Sequence, residues 1–483
     1  MPDLDAVRRD LLAALGPDGV GVDPLTRRLY ARDASLVEGD AGLIAFPRDA
    51  AEVQRVLRIA AAHDVAVVPR GSGTGLTGAA TPLHDALVVV TSKMTRIIEV
   101  RTEDRLAWVE PGVFNLDLTE HLRPLGFHYA PDPSSQQVST IGGNVNTNAG
   151  GPHCLASGVT SAHVLALDLV LHDGALVRLG VEGPLDPGYD LRGFAVGSEG
   201  MLGVVTAVCV RLTPNPPAVR TMLLDFADVD DCARTVSAIV AAGVIPAAME
   251  MMDRGIVRAV EAFAHAGYPT EAAAVLLIEV DGAEPAVDAQ TAAVEHAAAV
   301  NGVGTVRIAA DEAARALLWK GRKSAFGAIA RIAPHYHLHD CVVPRTKLAP
   351  ILAGVYAIAR RHDLVVTNVF HAGDGNLHPL FSFDRSVPGT LERALAASDE
   401  LVELCVEAGG ALTGEHGIGL EKRAFMPLMF SQESLAVQAC LRDAFDPSGR
   451  MNPEKVLPAG ARCGEFAAAA MGRAGALPEG TWI

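Results

Sequence analysis

The first half of the chain alternates short apolar blocks with polar and glycine-rich segments. The apolar runs 43–47 (LIAFP) and 65–69 (VAVVP) are typical of buried strands. Residues 50–62 between them carry their apolar side chains on one helical face. Three more apolar runs, ALVVVT, IIEV and LAWVEPG, follow before residue 113. This pattern predicts a first region of short strands with a helix between them.

The pattern changes after the proline-rich linker 213–218 (TPNPPA). A strand containing MLLDFA is followed by a predicted helix, and a long alanine-rich helix is predicted at 284–299. Such alternation indicates a second region in which helices and strands are mixed. We therefore predict an α+β fold with a first domain at 1–218, a second domain at 219–410 and a tail at 461–483.

Composition fits a globular protein and excludes several classes of function. The 483 residues are 49% hydrophobic and 20% charged, which excludes bulk disorder. The formal net charge of -17 repels polyanions, so nucleic acid is not an expected partner. No apolar run approaches the ~18 residues of a membrane span, and the N-terminus lacks the apolar core of a signal peptide. We expect a cytoplasmic protein with no membrane span.

A glycine-rich loop, PRGSGTGLTG at 69–78, follows the second strand. Gly73, Gly75 and Gly78 match G-x-G-x-x-G, but the next strand follows too soon to leave room for the helix of a Rossmann fold. A Walker loop is excluded because no Gly-Lys-Ser/Thr follows. Bare backbone of this kind can direct its N–H groups at an anion, above all a diphosphate. A glycine-rich surface turn is the alternative.

Two further glycine-rich segments accompany this loop. Residues 139–151 are rich in glycine and asparagine, which suits the edge of a flat polar ring system such as an isoalloxazine. Residues 197–205 again join a glycine turn to a strand. These three stretches, called the glycine segments below, are candidates for a cofactor site.

A histidine motif, HAGDGNLH, follows the apolar strand LVVTNVF. Its Asp-Gly pair is a strong signal for a two-residue hairpin turn, which would pair His371 with His378. The two rings would then share a face, with Cβ atoms ~5 Å apart. Glu415 adds an anionic third ligand for a divalent metal, and zinc, manganese and iron all fit this set. A structural histidine pair is the alternative.

An acidic substrate needs a local cation in a protein of negative net charge. The segment LLWKGRK at 317–323 offers Lys320, Arg322 and Lys323. Arg322 is favoured because its planar guanidinium can hold a carboxylate through two N–H groups. The alternative is that these charges form the solvated face of a helix.

Six motif groups stand in order between residues 40 and 458: PRGSGTGLTG; PDPSSQ with TIGGNV and NAGGPHCLASG; GSEGMLGVVT; HAGDGNLHP; TGEHGIGLEKR; and FDPSGRMNPEKVLP. In this combination the sequence resembles the FAD-linked 2-hydroxy-acid dehydrogenases, a family that includes the flavoprotein subunit of glycolate oxidase, D-lactate dehydrogenase and D-2-hydroxyglutarate dehydrogenase. The resemblance implies an FAD-binding domain of the vanillyl-alcohol oxidase and p-cresol methylhydroxylase type at 1–218. It also implies an α+β cap domain for the substrate at 219–410 and a segment at 411–460 that returns to the FAD-binding domain.

The resemblance implies roles for the residues of the glycine segments and their neighbours. Non-covalent FAD is expected, because residues 70–78 contain no histidine that could bond to the flavin. The implied FAD-binding residues are Pro69, Arg70, Gly71, Ser72, Gly73, Thr74, Gly75, Pro133, Ser134, Gly142, Gly143, Asn144, Asn148, Gly151, Gly197, Gly203, Val204, Val205 and Asn452.

The resemblance also assigns the chemistry. Related dehydrogenases bind a divalent metal through two histidines and a glutamate, which implies the ligands His371, His378 and Glu415. His416 is the implied catalytic base, and resemblance again points to Arg322 as the receptor of the substrate carboxylate. Some relatives carry a lysine where this chain has Leu338, which favours a small monocarboxylate over 2-hydroxyglutarate.

The predicted activity is the oxidation of a glycolate-type or D-lactate-type acid to the 2-oxo acid, an EC 1.1 reaction. The seven cysteines contain no C-x-x-C motif for an iron–sulfur cluster, so an external electron acceptor is implied. It would be an iron–sulfur subunit, an electron-transfer flavoprotein, a cytochrome or a quinone. A homodimer is one assembly compatible with the sequence. Alternatives are a D-2-hydroxyglutarate dehydrogenase, a non-catalytic FAD-binding subunit of an oxidase complex, and a non-redox metal enzyme.

Overall fold

A small sheet near the N-terminus carries the first glycine segment. The computed structural model describes residues 3–183 and 188–458, so the predicted tail at 461–483 and the last two residues of 411–460 lie outside the described residues. The elements are α1 (Leu4–Leu15), α2 (Pro24–Tyr30), α3 (Ala50–Ala62), β1 (Val20–Gly21), β2 (Ala41–Ala45), β3 (Val67–Arg70) and β4 (Ala86–Val90). The strands pair in the order β1-β2-β4-β3, and β2 and β3 both run parallel to β4.

Helix α3 shows why the predicted range 50–62 is helical. The Asp49 side chain caps the helix by accepting the N–H of Glu52 at 2.8 Å. Val53, Val56 and Leu57 are fully buried in the core that covers the first sheet. The apolar face therefore fixes the helix against the strand that leads into the glycine loop.

A second sheet, of five antiparallel strands, follows in the chain. Its region contains β5 (Ile97–Arg101), β6 (Leu106–Val109), β7 (Phe127–His128), β8 (Val164–Val170), β9 (Leu176–Gly180), β10 (Val204–Arg211) and β11 (Thr213–Pro214), with α4 (Asn115–Leu122), α5 (Ile141–Thr147), α6 (Cys154–Ser157) and α7 (Leu191–Ala195). The strand order is β5-β6-β10-β8-β9, while β11 pairs with β7. Strand β10 begins at Val204, inside the third glycine segment, so this sheet carries Val204 and Val205 of the later cavity wall.

The third sheet is the largest. It contains β12 (Ala218–Phe226), β13 (Ala248–Asp253), β14 (Ala274–Gly282), β15 (Val303–Ile308), β16 (His335–Leu338), β17 (Cys341–Val342), β18 (Val365–His371), β19 (Asn376–Leu377) and β20 (Pro379–Phe383). Its helices are α8 (Val229–Ala241), α9 (Arg254–Ala264), α10 (Glu284–Val300), α11 (Glu312–Lys323), α12 (Ala325–Ala328), α13 (Leu348–Arg361) and α14 (Thr390–Glu407). The main order is β15-β12-β14-β13-β18-β19-β17, and β20 joins β18 to β16.

Helices cover both faces of the third sheet. Met222 packs into a core with helices α8, α10, α13 and α14, whereas its neighbour Leu223 packs with α9, α11 and α12. Successive side chains of a strand point to opposite faces. By this alternation Glu250 of β13 and Glu279 of β14 share the face of Leu223, beneath α11.

The chain after the third sheet returns to the first. Helices α15 (Met426–Met429) and α16 (Gln432–Phe445) precede this return. The N–H of Val67 donates to the Arg450 carbonyl at 2.9 Å, and the N–H of Asn452 donates to the Val67 carbonyl at 2.7 Å. Residues 450–452 therefore lie beside β3. Among residues 3–183 and 188–458, no helix combines the length and apolarity needed to cross a bilayer.

Candidate active site

A cavity of about 460 Å³ lies where the glycine segments meet the third sheet and its helices. Most of the predicted FAD-binding residues line it, namely Pro69, Arg70, Gly71, Ser72, Gly73, Thr74, Gly75, Pro133, Ser134, Gly142, Gly143, Asn144, Val204 and Val205. Residues from the later part of the chain also line it, namely Lys323, Phe326, Tyr336, Leu338, His378, Glu415 and His416. One cavity thus joins the predicted cofactor segments with predicted catalytic residues.

Five predicted FAD-binding residues do not line this cavity: Asn148, Gly151, Gly197, Gly203 and Asn452. Asn452 lies behind the wall, where its amide donates to the carbonyls of Ala79 and Glu199 at 2.8 and 2.6 Å. Gly203 allows close packing, because a Cβ there would lie 2.5 Å from the Val170 carbonyl oxygen. These two residues shape the wall, and a direct contact of any of the five with FAD stays a prediction.

Sequence reasoning missed other residues that line the cavity. Most belong to the same motifs or follow them directly, namely Leu76, Ala79, Ala80, Ser135, Asn146, Thr147, Ala149, Gly150, Glu199 and Gly200. All except Ala79 and Ala80 lie inside the segments quoted above, so assigning whole segments instead of selected positions would have included them. Ala34, Thr91 and Pro111 also line the cavity, but they come from separate stretches without a sequence signal.

The first glycine segment has the properties expected of a diphosphate site. Within the part of the chain that the structure describes, the N–H groups of residues 72–75 donate to no protein acceptor. A Cβ at Gly71 would lie 2.3 Å from Thr140 Oγ1, and one at Gly73 would lie 2.0 Å from Arg70 Nη2. Gly73 also has a φ of +79°, which favours glycine. The residues present therefore fit a bound diphosphate.

The histidine hairpin has a different register from the predicted one. His371 pairs with Asn376 instead of His378, because the turn spans residues 372–375 rather than the Asp-Gly pair alone. Strand β20 keeps this register, since Asn368 pairs with Pro379. The shift of two residues leaves both histidines on one face. Their ring centroids are 5.1 Å apart, as diagonal neighbours.

The two histidines and Glu415 form a group that could hold one metal ion. Glu415 Oε1 lies 3.1 Å from His371 Nε2 and 3.5 Å from His378 Nε2. Among the residues that the structure describes, neither ring nitrogen of the buried His378 has a hydrogen-bond partner, a costly state for polar atoms that a metal bond would relieve. Gly150 leaves room for the carboxylate, because a Cβ there would lie 2.6 Å from Glu415 Oε2. The donor set therefore fits a divalent cation.

A second group of potential ligands, Asp340, His378 and His416, shares one histidine with the first. Asp340 is fully buried, and the N–H groups of Gly414 and His416 each donate to its carboxylate at 3.0 Å. Thr413 also donates to this carboxylate, and Lys422 Nζ lies 3.5 Å away. Because these donors already satisfy Asp340, the group with Glu415 is the better metal site. Sequence reasoning gave Asp340 no role, since its partners come from a distant loop.

His416 lies on a loop, residues 413–419, that two buried carboxylates hold. Asp340 accepts N–H groups from its first half, while Glu199 accepts those of Ile418 and Gly419 at 2.6 and 2.8 Å. The His416 ring stacks on His378 with centroids 4.9 Å apart. Burial lowers the pKa of His416 to about 4, so its ring is neutral at pH 7 and can accept a proton.

Helix α11 places its cations differently from the prediction. Arg322 is 1% exposed, does not line the cavity and lies against Glu250, with Nη2 2.6 Å from Oε2. Lys323 lines the cavity instead. Adjacent helical residues point about 100° apart, so the two side chains leave the helix in different directions. Lys320 is exposed, as a solvated face requires.

Comparison with known protein families gives two matches. Residues 41–180 match the family described as FAD binding domain, and residues 215–456 match FAD linked oxidases, C-terminal domain. The glycolate oxidase subunit GlcD of Escherichia coli (strain K12) is 43% identical over 88% of this chain and 85% of its own. GlcD of Bacillus subtilis (strain 168) is 38% identical over 94% and 97%. The probable mitochondrial D-lactate dehydrogenase of Danio rerio is 30% identical over 92% and 90%.

Solved structures share the fold at low sequence identity. p-Cresol methylhydroxylase with substrate bound has a TM-score of 0.80 and 18% identity, covering 94% of this chain and 96% of that one. The isoeugenol complex of 4-ethylphenol oxidase from Gulosibacter chungangensis has a TM-score of 0.78 and 17% identity, covering 96% and 100%. These likenesses confirm the predicted α+β class and the predicted type of FAD-binding fold.

Proposed function

The chain belongs to the family of FAD-linked oxidases, and we propose that it oxidises a small 2-hydroxy acid, glycolate or D-lactate, to the 2-oxo acid. Among its relatives are a glycolate oxidase subunit and a probable D-lactate dehydrogenase. The observation that carries the proposal is the single cavity lined by the glycine segments and by His378, Glu415 and His416.

The cavity provides for both groups that the reaction requires. The glycine segments would hold FAD non-covalently, and His371, His378 and Glu415 would hold zinc, manganese or iron. When bound, FAD supplies an acceptor for the hydride of C2, and the ion supplies a Lewis acid that stabilises negative charge on the substrate oxygens. His416 takes the hydroxyl proton on a ring nitrogen, which its neutral state permits. Asp340 and Glu199 keep the His416 loop in place for this transfer.

The later residues of the cavity wall select the substrate. Lys323 lines the cavity and is our choice as the receptor of the substrate carboxylate, in place of the predicted Arg322. Phe326 and Leu338 add an apolar surface. A second carboxylate would lose its hydration against such a surface. A small monocarboxylate is therefore favoured over 2-hydroxyglutarate.

FAD bound in this cavity would need a partner outside this chain to accept its electrons. Two relatives are named as subunits of glycolate oxidase, which supports a complex with other subunits. An iron–sulfur subunit, an electron-transfer flavoprotein, a cytochrome or a quinone would serve as acceptor. The cytoplasmic location and the domain boundaries 1–218, 219–410 and 411–460 belong to the same proposal.

An anaerobic titration of the purified protein tests this function. Glycolate, both lactates and both 2-hydroxyglutarates are added while the flavin absorbance is followed. We expect bleaching by glycolate or D-lactate. His416→Asn should slow bleaching by roughly 10²- to 10⁴-fold, the usual contribution of a general base, while the FAD content stays unchanged.

The same titration distinguishes the alternatives. Bleaching by 2-hydroxyglutarate alone would favour the dehydrogenase of that acid. A flavoprotein that no hydroxy acid bleaches would favour the non-catalytic subunit. Retained bleaching in the His416→Asn protein would refute the assigned base.

A further inference from the structure

A buried carboxylate, Glu250, lies behind the proposed metal ligands on strand β13. It is the direct cross-strand partner of His371 in the pairing of β13 with β18. Its side chain is fully buried, and Oε1 lies 2.7 Å from His371 Nδ1. The other oxygen, Oε2, accepts Arg322 Nε–H at 2.8 Å. One carboxylate thus joins a proposed metal ligand to an arginine of α11.

We propose that Glu250 is a positioning residue for His371, and that Arg322 acts through Glu250 as its counter-ion. The proposal rests on the proposed function, because it concerns the metal site assigned there. It gives Arg322 a role that does not require contact with the cavity.

The first argument is the tautomer of His371. Its Nδ1 faces a carboxylate at hydrogen-bond distance, so Nδ1 carries the proton and donates it to Glu250. Nε2 lies 3.1 Å from Glu415 Oε1, and with a metal ion bound it would present its lone pair to that ion. A carboxylate behind a metal-binding histidine fixes both the tautomer and the ring orientation, and it makes the ring a stronger ligand.

The second argument is charge. A carboxylate with no exposure to water is costly unless a cation compensates it. Arg322, itself 1% exposed, supplies that cation, with Nη2 2.6 Å from Oε2. Because Arg322 cancels the charge of Glu250, Glu415 is left as the anion that meets the metal ion. The pair therefore orients His371 without adding a net charge to the site.

The test compares metal affinity in two matched variants. Both partners of Glu250 are donors, so in Glu250→Gln the amide oxygen can accept from only one, and its NH₂ group must face the other. Glu279→Gln is the control, because Glu279 lies on the same sheet face and binds a histidine and an arginine of α11, but no proposed ligand. Each FAD-loaded protein is stripped of metal with a chelator and titrated with Co²⁺ by calorimetry.

We expect Glu250→Gln to bind Co²⁺ about 10- to 100-fold more weakly than the wild type, as for other residues behind metal ligands. The FAD content should not change, and Glu279→Gln should keep the wild-type affinity. Glu250→Asp, which retains the charge, should bind with intermediate affinity and serves if the glutamine variant does not fold. Arg322→Met should also weaken Co²⁺ binding.

Results that contradict these expectations distinguish a failure of the Glu250 or Arg322 role from a failure of the proposed function or of the metal site. Wild-type Co²⁺ affinity in Glu250→Gln would overturn the proposal, even if hydroxy acids still bleach the wild-type flavin. Arg322→Met with unchanged Co²⁺ affinity and a raised KM would overturn the role of Arg322 and favour direct contact with the substrate. A wild type that binds Co²⁺ but is bleached by no hydroxy acid would refute the proposed function alone. A wild type that binds no Co²⁺ would refute the metal site and this proposal together.

Discussion

Two charge networks run from helix α11 into the third sheet, and both begin with the same residue types. Each contains an arginine of α11, a buried glutamate of the sheet, a histidine and a second carboxylate. The inner network is Arg322, Glu250, His371 and Glu415, and the outer network is Arg315, Glu279, His153 and Asp132. Because the two networks contain the same residue types, their differences in exposure and charge balance show how the surroundings determine the role of each network.

The networks differ first in exposure to water. The side chains of Arg322 and His371 are 1% and 4% exposed, whereas those of Arg315 and His153 are 30% and 27% exposed. They also differ in the regions that they connect. His153 and Asp132 come from the first region of the chain, so the outer network links that region to the third sheet. Water can therefore replace a lost partner in the outer network but not in the inner one.

The networks differ also in the positive charge that neutralises their last carboxylate, Glu415 in the inner network and Asp132 in the outer one. In each, the arginine compensates the glutamate and leaves one anion. Burial opposes a charged ring at His153, but Asp132 and Glu279 outweigh it and raise the pKa of His153 to about 10. A proton on His153 thus balances Asp132. In the inner network Glu250 and Glu415 likewise raise the pKa of His371. The metal ion that we propose would take the place of this proton, because His371 must be neutral to bind it.

The largest predicted effect is the loss of stability when either glutamate is truncated. Glu250→Ala should lower the free energy of unfolding by about 3 to 5 kcal/mol, because Arg322 keeps a buried charge with no partner. Glu279→Ala should cost less, since Arg315 can reach water and also meets Glu312 at 3.0 Å. Urea unfolding of the metal-free, FAD-loaded proteins measures both losses. Equal losses would show that exposure does not separate the two networks.

The sequence alone predicts several elements that carry the networks and selects Arg322, His371 and Glu415 as site residues, but it does not predict the contacts that join the members of each network. Apolar periodicity located α3, the first strands and the long helix α10, because those elements bury one face or both. The histidine pair was also predictable from its residue types. The predicted pairing of His371 with His378 was wrong by two positions. The two side chains still lie close together, because a shift of two residues keeps a side chain on the same face of the sheet.

Glu250 and Glu279 were not predicted because their partners are distant in the chain. Each is flanked by apolar residues within its strand, in AMEMMD and AVLLIEVDG, and each strand has a second acidic residue, an aspartate, at or near its end. A carboxylate inside such an apolar run is a signal of buried pairing, but it does not identify the partner. Which cation lies on the cavity wall depends on the rotation of α11 about its axis, and Arg322 and Lys323 are adjacent in the sequence. The preference for arginine as a carboxylate receptor says nothing about which of two adjacent helical residues faces the cavity.

The next prediction uses pH to separate the outer network from the inner one. The folded pKa of His153 lies above the ~6.5 of a free histidine. Its contribution to stability is therefore complete below about pH 6.5 and is lost as the pH rises toward about 10. The stability difference between the wild type and His153→Gln should be on the order of 2 kcal/mol near pH 6, between the values for exposed and buried ion pairs. It should shrink steadily as the solution becomes alkaline.

Urea unfolding at a series of pH values between about 6 and 10 measures this difference. The carboxylates of Asp132, Glu279 and Asp281 act on the ring from both regions, and His128 acts against them. Other groups that titrate in this range occur in both proteins and cancel in the comparison. A difference that does not change with pH would contradict a protonated His153.

The smallest predicted effect tests whether Glu279 carries its charge. Thr221 is buried, and its hydroxyl donates to Glu279 Oε2 at 2.5 Å. Thr221→Val removes this donor while Trp319 Nε1 still donates at 2.7 Å, so the loss should be about 1.5 kcal/mol, near the low end for a hydrogen bond to a charged group. Thr235→Val is the control, because the buried Thr235 donates to a neutral carbonyl, that of Asp231, at 2.9 Å. That control should lose only about 1 kcal/mol or less in urea unfolding, and a control loss equal to that of Thr221→Val would mean that Glu279 is protonated.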